Sequence, residues 1–183
     1  MIPTLSRRGL LAAVLTAATA AVLPAAADEA GPRPLPVTLP PLPPGPPVLT
    51  VEGPSGPRSF TLAQLEALGL YALTVDLVWA DEGGTYQGVL LADVLAAAGL
   101  AEVPAVDVEG LDGYRATIPH DDWRRWPVLI ATRRDGAAMA VRDKGPLRIL
   151  YPLTPDEVLA SPKMDLRWVW MIARIAPAAG GPS

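Results

Sequence analysis

Around residues 71–79 the chain alternates: Tyr71, Leu73, Val75, Leu77 and Trp79 fall on one face, with Thr74 and Asp76 on the other. That period of two predicts a half-buried strand. Leu91, Val94, Leu95 and Ala98 then recur at helical spacing until Gly99 stops them, which predicts a short amphipathic helix. Upstream, residues 48–51 read as a first strand, ended by Gly53-Pro54 and Gly56-Pro57. Thr61 and Gln64 have capping-box spacing, and Phe60 can pack on Leu65 as a hydrophobic staple, so a helix opens there and ends at Gly69.

Downstream the pattern is of strands. Residues 105–109 and 114–118 flank Asp112-Gly113, a strong hairpin signal. Residues 119–126 read as a polar, aromatic helical turn. Residues 128–132 and 138–141 flank Asp135-Gly136 as a second hairpin. In the stretch 144–152, Gly145-Pro146 opens a short apolar run that one charge, Arg148, interrupts and Pro152 closes. An isolated charge in a core strand needs a partner or a ligand. A loop through Pro155 and Pro162 leads to a closing strand over 168–175. No internal repeat is present, and the expected class is α+β: a mixed, β-rich sheet domain with short helices.

The first 47 residues lie outside these periods. Residues 1–27 have the layout of an export signal: Arg7 and Arg8, an apolar stretch over 10–23, and Ala25-Ala26-Ala27 before Asp28. Ser6-Arg7-Arg8-Gly9-Leu10-Leu11 is close to a twin-arginine pattern. The apolar stretch is short for a membrane span, so no stable span is expected after cleavage, and the location expected is periplasmic or extracellular. Residues 28–47 form a Pro-rich linker, with 9 prolines in the 17 positions from Gly31 to Pro47. It is expected to act as a semi-rigid spacer or, alternatively, as a Pro-rich ligand for another protein. The domain is expected over 48–177, with a flexible tail over 178–183.

Charge and composition then narrow the chemistry. Without residues 1–27 the chain carries 13 basic and 19 acidic residues, a net charge of −6, which argues against nucleic acid as a partner. With no Cys and one His in 183 residues, zinc, haem and iron–sulfur sites of the usual ligand types are disfavoured. After the signal, Ser occurs only at 55, 59, 161 and 183, in loops, a turn edge or the tail. His120 beside Asp121 and Asp122 makes no triad by sequence adjacency, so serine-nucleophile chemistry is poorly supported. No spacing marks out a carboxylate pair, and no Gly-rich phosphate loop joins a strand to a helix.

What remains is basic and aromatic: Tyr114, Arg115, Trp123, Arg124, Arg125, Lys144 and Arg148. Arg forks suit phosphate or carboxylate groups, and Trp or Tyr can flank a planar ligand. Tyr114, Arg115, Trp123, Lys144 and Arg148 are therefore the candidate binding residues. The alternative is that Trp123 and Trp126 staple a small core while the Arg residues stay solvated.

The order of these motifs resembles a known family. Residues 60–65 (Phe-Thr-Leu-Ala-Gln-Leu), 85–95 (Thr-Tyr-Gln-Gly-Val-Leu-Leu-Ala-Asp-Val-Leu), 111–114 (Leu-Asp-Gly-Tyr), 145–152 (Gly-Pro-Leu-Arg-Ile-Leu-Tyr-Pro) and the 168–176 finish are similar to the molybdopterin-binding oxidoreductase domain of the sulfite oxidase type. The resemblance implies that fold and, in catalytic members, a molybdenum cofactor with a Cys thiolate on the metal. That Cys would fall between residues 76 and 87, where this chain has Asp, Glu, Trp and Tyr but no Cys. Losing the thiolate removes the soft ligand that fixes and tunes the metal. The residues therefore point to an exported binding or accessory module for a small anionic ligand or an exported partner protein, with no cofactor or metal ligand expected. The alternative, implied by the resemblance, is an active molybdopterin oxidoreductase with a non-Cys metal site, for which Asp81 or Glu82 could supply oxygen.

Overall fold

The computed structural model describes residues 31–77, 79, 81–161 and 163–179. The expected export signal over 1–27 lies outside them, as does residue 78 of the alternating strand. Two sheets carry the fold. In the first, β1 (Leu35–Pro36), β4 (Tyr71–Val75), β5 (Gly84–Leu90), β8 (Leu129–Arg134) and β10 (Arg148–Leu150) lie side by side in that order, and β9 (Ala137–Ala138) also pairs with β8. The second sheet has the order β3 (Gly56–Phe60), β2 (Leu49–Gly53), β11 (Ile172–Pro177), β6 (Ala105–Gly110) and β7 (Arg115–Pro119). Among the described residues only β2 and β11 pair in parallel. The helices are short: α1 (Leu62–Glu66), α2 (Leu91–Ala97), α3 (His120–Arg125) and α4 (Pro155–Ala160). The α+β class expected from the periods is the class observed.

Local sequence explains much of this. Thr61 accepts from the Gln64 amide, and the Gln64 side chain accepts from the Thr61 amide, so both halves of the capping box form. Such a cap contributes about 1 kcal/mol. Along β4, Leu73 and Val75 are buried and Thr74 is exposed, as alternation requires. In α2, Leu91, Val94 and Leu95 are fully buried, and the helix is fixed to the sheet by the Leu91 amide donating to the Val128 carbonyl.

Three expectations change. The Pro-rich stretch does not stand off as a spacer over its described part. Leu35 and Pro36 pair with Ala72 and Tyr71 at the sheet edge, the Val37 amide donates to the Leu70 carbonyl, and Arg133 donates to the Pro40 carbonyl. An edge strand tolerates proline because one side of it needs no ladder donor. The second hairpin is abbreviated: after Ala138 the chain leaves the sheet and makes a single 3-10 turn over Val141–Asp143. Finally, the closing strand starts at Ile172 rather than at 168. Residues 169–170 instead run beside β10, through the Ile149 amide to the Val169 carbonyl and an Arg148–Trp170 bridge. At Met171, with φ of +52°, the chain turns out of the first sheet and enters the second.

Candidate functional site

That crossing between sheets builds the most distinctive site. Trp168 and Trp170 lie on the crossing segment, and Trp79 comes to them from the loop between β4 and β5. The Trp79 ring meets Trp168 at 5.6 Å and Trp170 at 5.7 Å between centroids, both edge to face. Behind Trp168, Tyr151 stacks at 6.1 Å. The turn between β6 and β7 closes the other side. Its Leu111 amide donates to the Met171 carbonyl, and a Cβ on Gly110 would lie 2.7 Å from the Trp170 carbonyl oxygen, so only glycine lets the turn approach this closely. The Asp112 carboxylate caps the turn by accepting from the Tyr114 amide at 3.0 Å. The Tyr114 hydroxyl reaches across to the Leu166 carbonyl at 2.7 Å, near the short 3-10 turn at Asp165–Arg167.

The result is a pocket of about 280 Å³ lined by Trp79, Asp112, Tyr114, Asp165, Leu166, Trp168 and Trp170. It is aromatic with an acidic rim. Burial, with the nearby Asp165 and Asp112 charges, pushes the Tyr114 phenol above its ordinary range. The indole N–H groups of Trp168 and Trp170 are buried without an acceptor. An unpartnered buried donor costs free energy until water or a ligand atom meets it.

Behind the pocket wall lies a charged cluster. Glu82 accepts from Lys144 Nζ at 2.5 Å through one carboxylate oxygen and from Arg148 Nη1 at 2.6 Å through the other. The Tyr86 hydroxyl donates to the Glu82 carbonyl at 2.7 Å, and Arg148 Nη1 also reaches that hydroxyl at 3.1 Å. Burial pushes the Glu82 carboxyl up, but the hydrogen bonds and charges of Lys144 and Arg148 outweigh it and hold the group below the usual carboxylate value. Lys144 Nζ also sits 3.8 Å from the Trp170 ring centroid, a cation–π contact that ties this cluster to the pocket. Arg148 is 1% exposed, and its Nε and Nη2 have no acceptor.

The five sequence candidates therefore separate. Lys144 and Arg148 meet on Glu82, and Tyr114 lies in the pocket that shares Trp170 with them. Arg115 points away, ion-paired with Glu109 at 2.9 Å with its side chain 65% exposed. Trp123 sits in α3 against His120 at 5.2 Å, among core residues. Arg125 covers Trp126, and Arg124 is exposed. Local sequence pattern marks neither Trp79, Trp168, Trp170, Asp112 and Asp165 as site residues nor Glu82 as the partner of Lys144 and Arg148. Trp168-x-Trp170 resembled a strand face and Asp112 a turn residue, so spacing alone gave no functional signal for either. Among the described residues no group of three or more His, Cys, Asp or Glu side chains is placed to hold a metal ion, and no helix is long and apolar enough to cross a membrane.

Comparison with known proteins agrees with this architecture. A search of curated proteins finds no match. Among solved structures, the fold is similar to the sulfane dehydrogenase SoxCD from Paracoccus pantotrophus, with a TM-score of 0.52 and 19% identity. The superposition covers 70% of this chain and only 37% of that one, so the likeness is one of fold and spans little more than a third of the larger protein. The family model described as the oxidoreductase molybdopterin binding domain matches residues 48–155. With more than half of its length matched and the two-sheet fold in place, this chain belongs to the oxidoreductase molybdopterin-binding domain family.

Proposed function

We propose that this protein is an exported binding module of its family, taking a planar pterin-class heterocycle in the Trp79–Trp168–Trp170 pocket without thiolate-ligated molybdenum chemistry. The observation that carries the reading is the pocket's chemistry: three indoles and a phenol for a flat ring, with Asp112 and Asp165 at its rim. A pterin carries an amino group and a ring N–H side by side, a donor pair that suits a carboxylate. Export is supported by the pattern of residues 1–27.

The complete molybdenum cofactor fits these residues less well than its pterin part. With no Cys in the chain, no thiolate can join the metal. Of the two carboxylates considered as oxygen ligands, Glu82 is engaged by Lys144 and Arg148. No Lys or Arg lines the described pocket to meet a phosphate.

Calorimetric titration with 2-amino-4-oxopteridine tests the first reading. Binding near one equivalent is expected, abolished by Trp79→Ala and weakened about tenfold by Asp165→Asn, the loss of one charge-assisted hydrogen bond. No binding by well-folded protein would sink it. Elemental analysis of protein purified in its exported form tests the active-oxidoreductase alternative, which requires stoichiometric molybdenum with extractable pterin.

A further inference from the structure

The loop over residues 76–83 joins the end of β4 to the start of β5 without secondary structure of its own in its described residues. It nevertheless supplies one of the three indoles that line the pocket, Trp79. Something must hold an irregular segment in one geometry if its tryptophan is to stand against two others.

We propose that Glu82 is a positioning residue for ligand binding: its carboxylate, clamped between Lys144 and Arg148, fixes this loop so that Trp79 closes the pocket against Trp168 and Trp170. The ligand-binding half of this inference rests on the function proposed above; the structural half does not.

The attachments favour Glu82 over its neighbours. Both of its carboxylate oxygens accept from cations, one of them on the fully buried Arg148 of β10. Charge-assisted bonds shielded from water are the strong ones. Its carbonyl takes the Tyr86 hydroxyl, and its amide donates to the Trp79 carbonyl at 3.3 Å, so the anchor passes directly to the tryptophan's own backbone. Arg134 also holds the loop, donating to the Asp81 and Gly83 carbonyls at 2.8 and 2.7 Å, but its side chain is 36% exposed and these bonds compete with water. The same cluster reaches the opposite wall, where the Lys144 ammonium lies over Trp170. Glu82 therefore registers both walls at once.

Tryptophan–tryptophan exciton coupling in far-ultraviolet circular dichroism reads the wall geometry without any ligand. The part of the couplet that comes from Trp79 and its two neighbours should be lost in Trp79→Ala. In Glu82→Gln the same part should be lost, because one carboxamide oxygen cannot serve two cations, and affinity for 2-amino-4-oxopteridine should fall at least about tenfold through faster dissociation. Asp165→Asn should weaken binding with the couplet intact. A Glu82→Gln protein that keeps the wild-type couplet overturns the proposal, whatever its affinity. If that variant does not fold, Lys144→Met serves instead, since it cuts the more exposed arm of the clamp; a weaker couplet supports the proposal and an unchanged one overturns it. If the wild type binds no pterin, the couplet still decides the role of Glu82, and only the ligand reading falls.

Discussion

Arg148 Nη1 lies 2.6 Å from Glu82 Oε2, and this pairing joins the interior of β10 to the loop after β4 across 66 residues of chain. The Arg148 side chain is 1% exposed and that of Glu82 15%. The pair is buried, so its two halves are not equivalent to remove. Glu82→Gln leaves a guanidinium in the core without its counter-charge and should cost about 3–5 kcal/mol. Arg148→Met removes the buried charge and should cost clearly less. Denaturant unfolding of the two variants checks the order; equal losses would show that packing, not charge, is the main role of Arg148.

Glu82 also sets a pH limit. Its folded pKa is lowered from an unfolded value near 4.5, so its contribution is fully present above that value and is lost as pH falls through the folded pKa. Acid unfolding should therefore steepen below about pH 4.5, and the Arg148→Met variant, lacking one of the two lowering groups, should show a weaker acid limb. Stability measured from pH 7 downward in both proteins tests this.

Tyr151 acts at the opposite end. Burial, with the Asp122 carboxylate accepting its hydroxyl at 2.7 Å, pushes its phenol well above the ordinary value of 10.0. The folded state keeps that proton while the unfolded chain releases it, so stability is full below about pH 10 and falls as pH rises beyond it. Tyr151→Phe should flatten this alkaline limb and, at neutral pH, cost about 1–3 kcal/mol through the lost hydrogen bond to a charged group. An alkaline limb of unchanged slope would refute the assignment.

The Pro-rich stretch should behave as part of the domain. Removing residues up to 47 uncovers the edge of β4 and deprives Arg133 of the Pro40 carbonyl, though Glu66 still holds Arg133 at 2.6 Å. Open edges pair with other chains. The shortened protein should unfold at lower denaturant and associate with rising concentration, seen by light scattering; a monomer of unchanged midpoint would restore the spacer reading.

Gly88 tests the sheet itself. It sits where the β5–β8 register shifts, and a Cβ there would collide with the Ile130 carbonyl and lie 2.7 Å from the Ala131 Cα. Both obstacles are backbone and cannot rotate away. Gly88→Ala should destabilise by about 2–3 kcal/mol, the upper range for overpacking, as measured by thermal or denaturant unfolding.

The sequence by itself determined what depends on neighbours along the chain. The Thr61–Gln64 cap, the alternation of β4, the stripe of α2 and the Asp112-Gly113 turn all follow from local periods and local hydrogen bonds, and together their order carries the family resemblance. It also determined that no thiolate is present. Tertiary structure decided the rest, because the pocket draws Trp79, Asp112, Tyr114, Asp165 and Trp170 from three separate connections. No spacing encodes their meeting. Arg148 shows the division most clearly: its isolation within an apolar strand announced that a partner was required, and only the fold chose Glu82 from among the chain's 19 acidic residues. The Pro-rich stretch shows the converse, since its composition favours an extended chain, yet whether that chain floats or docks depends on an open sheet edge lying beside it.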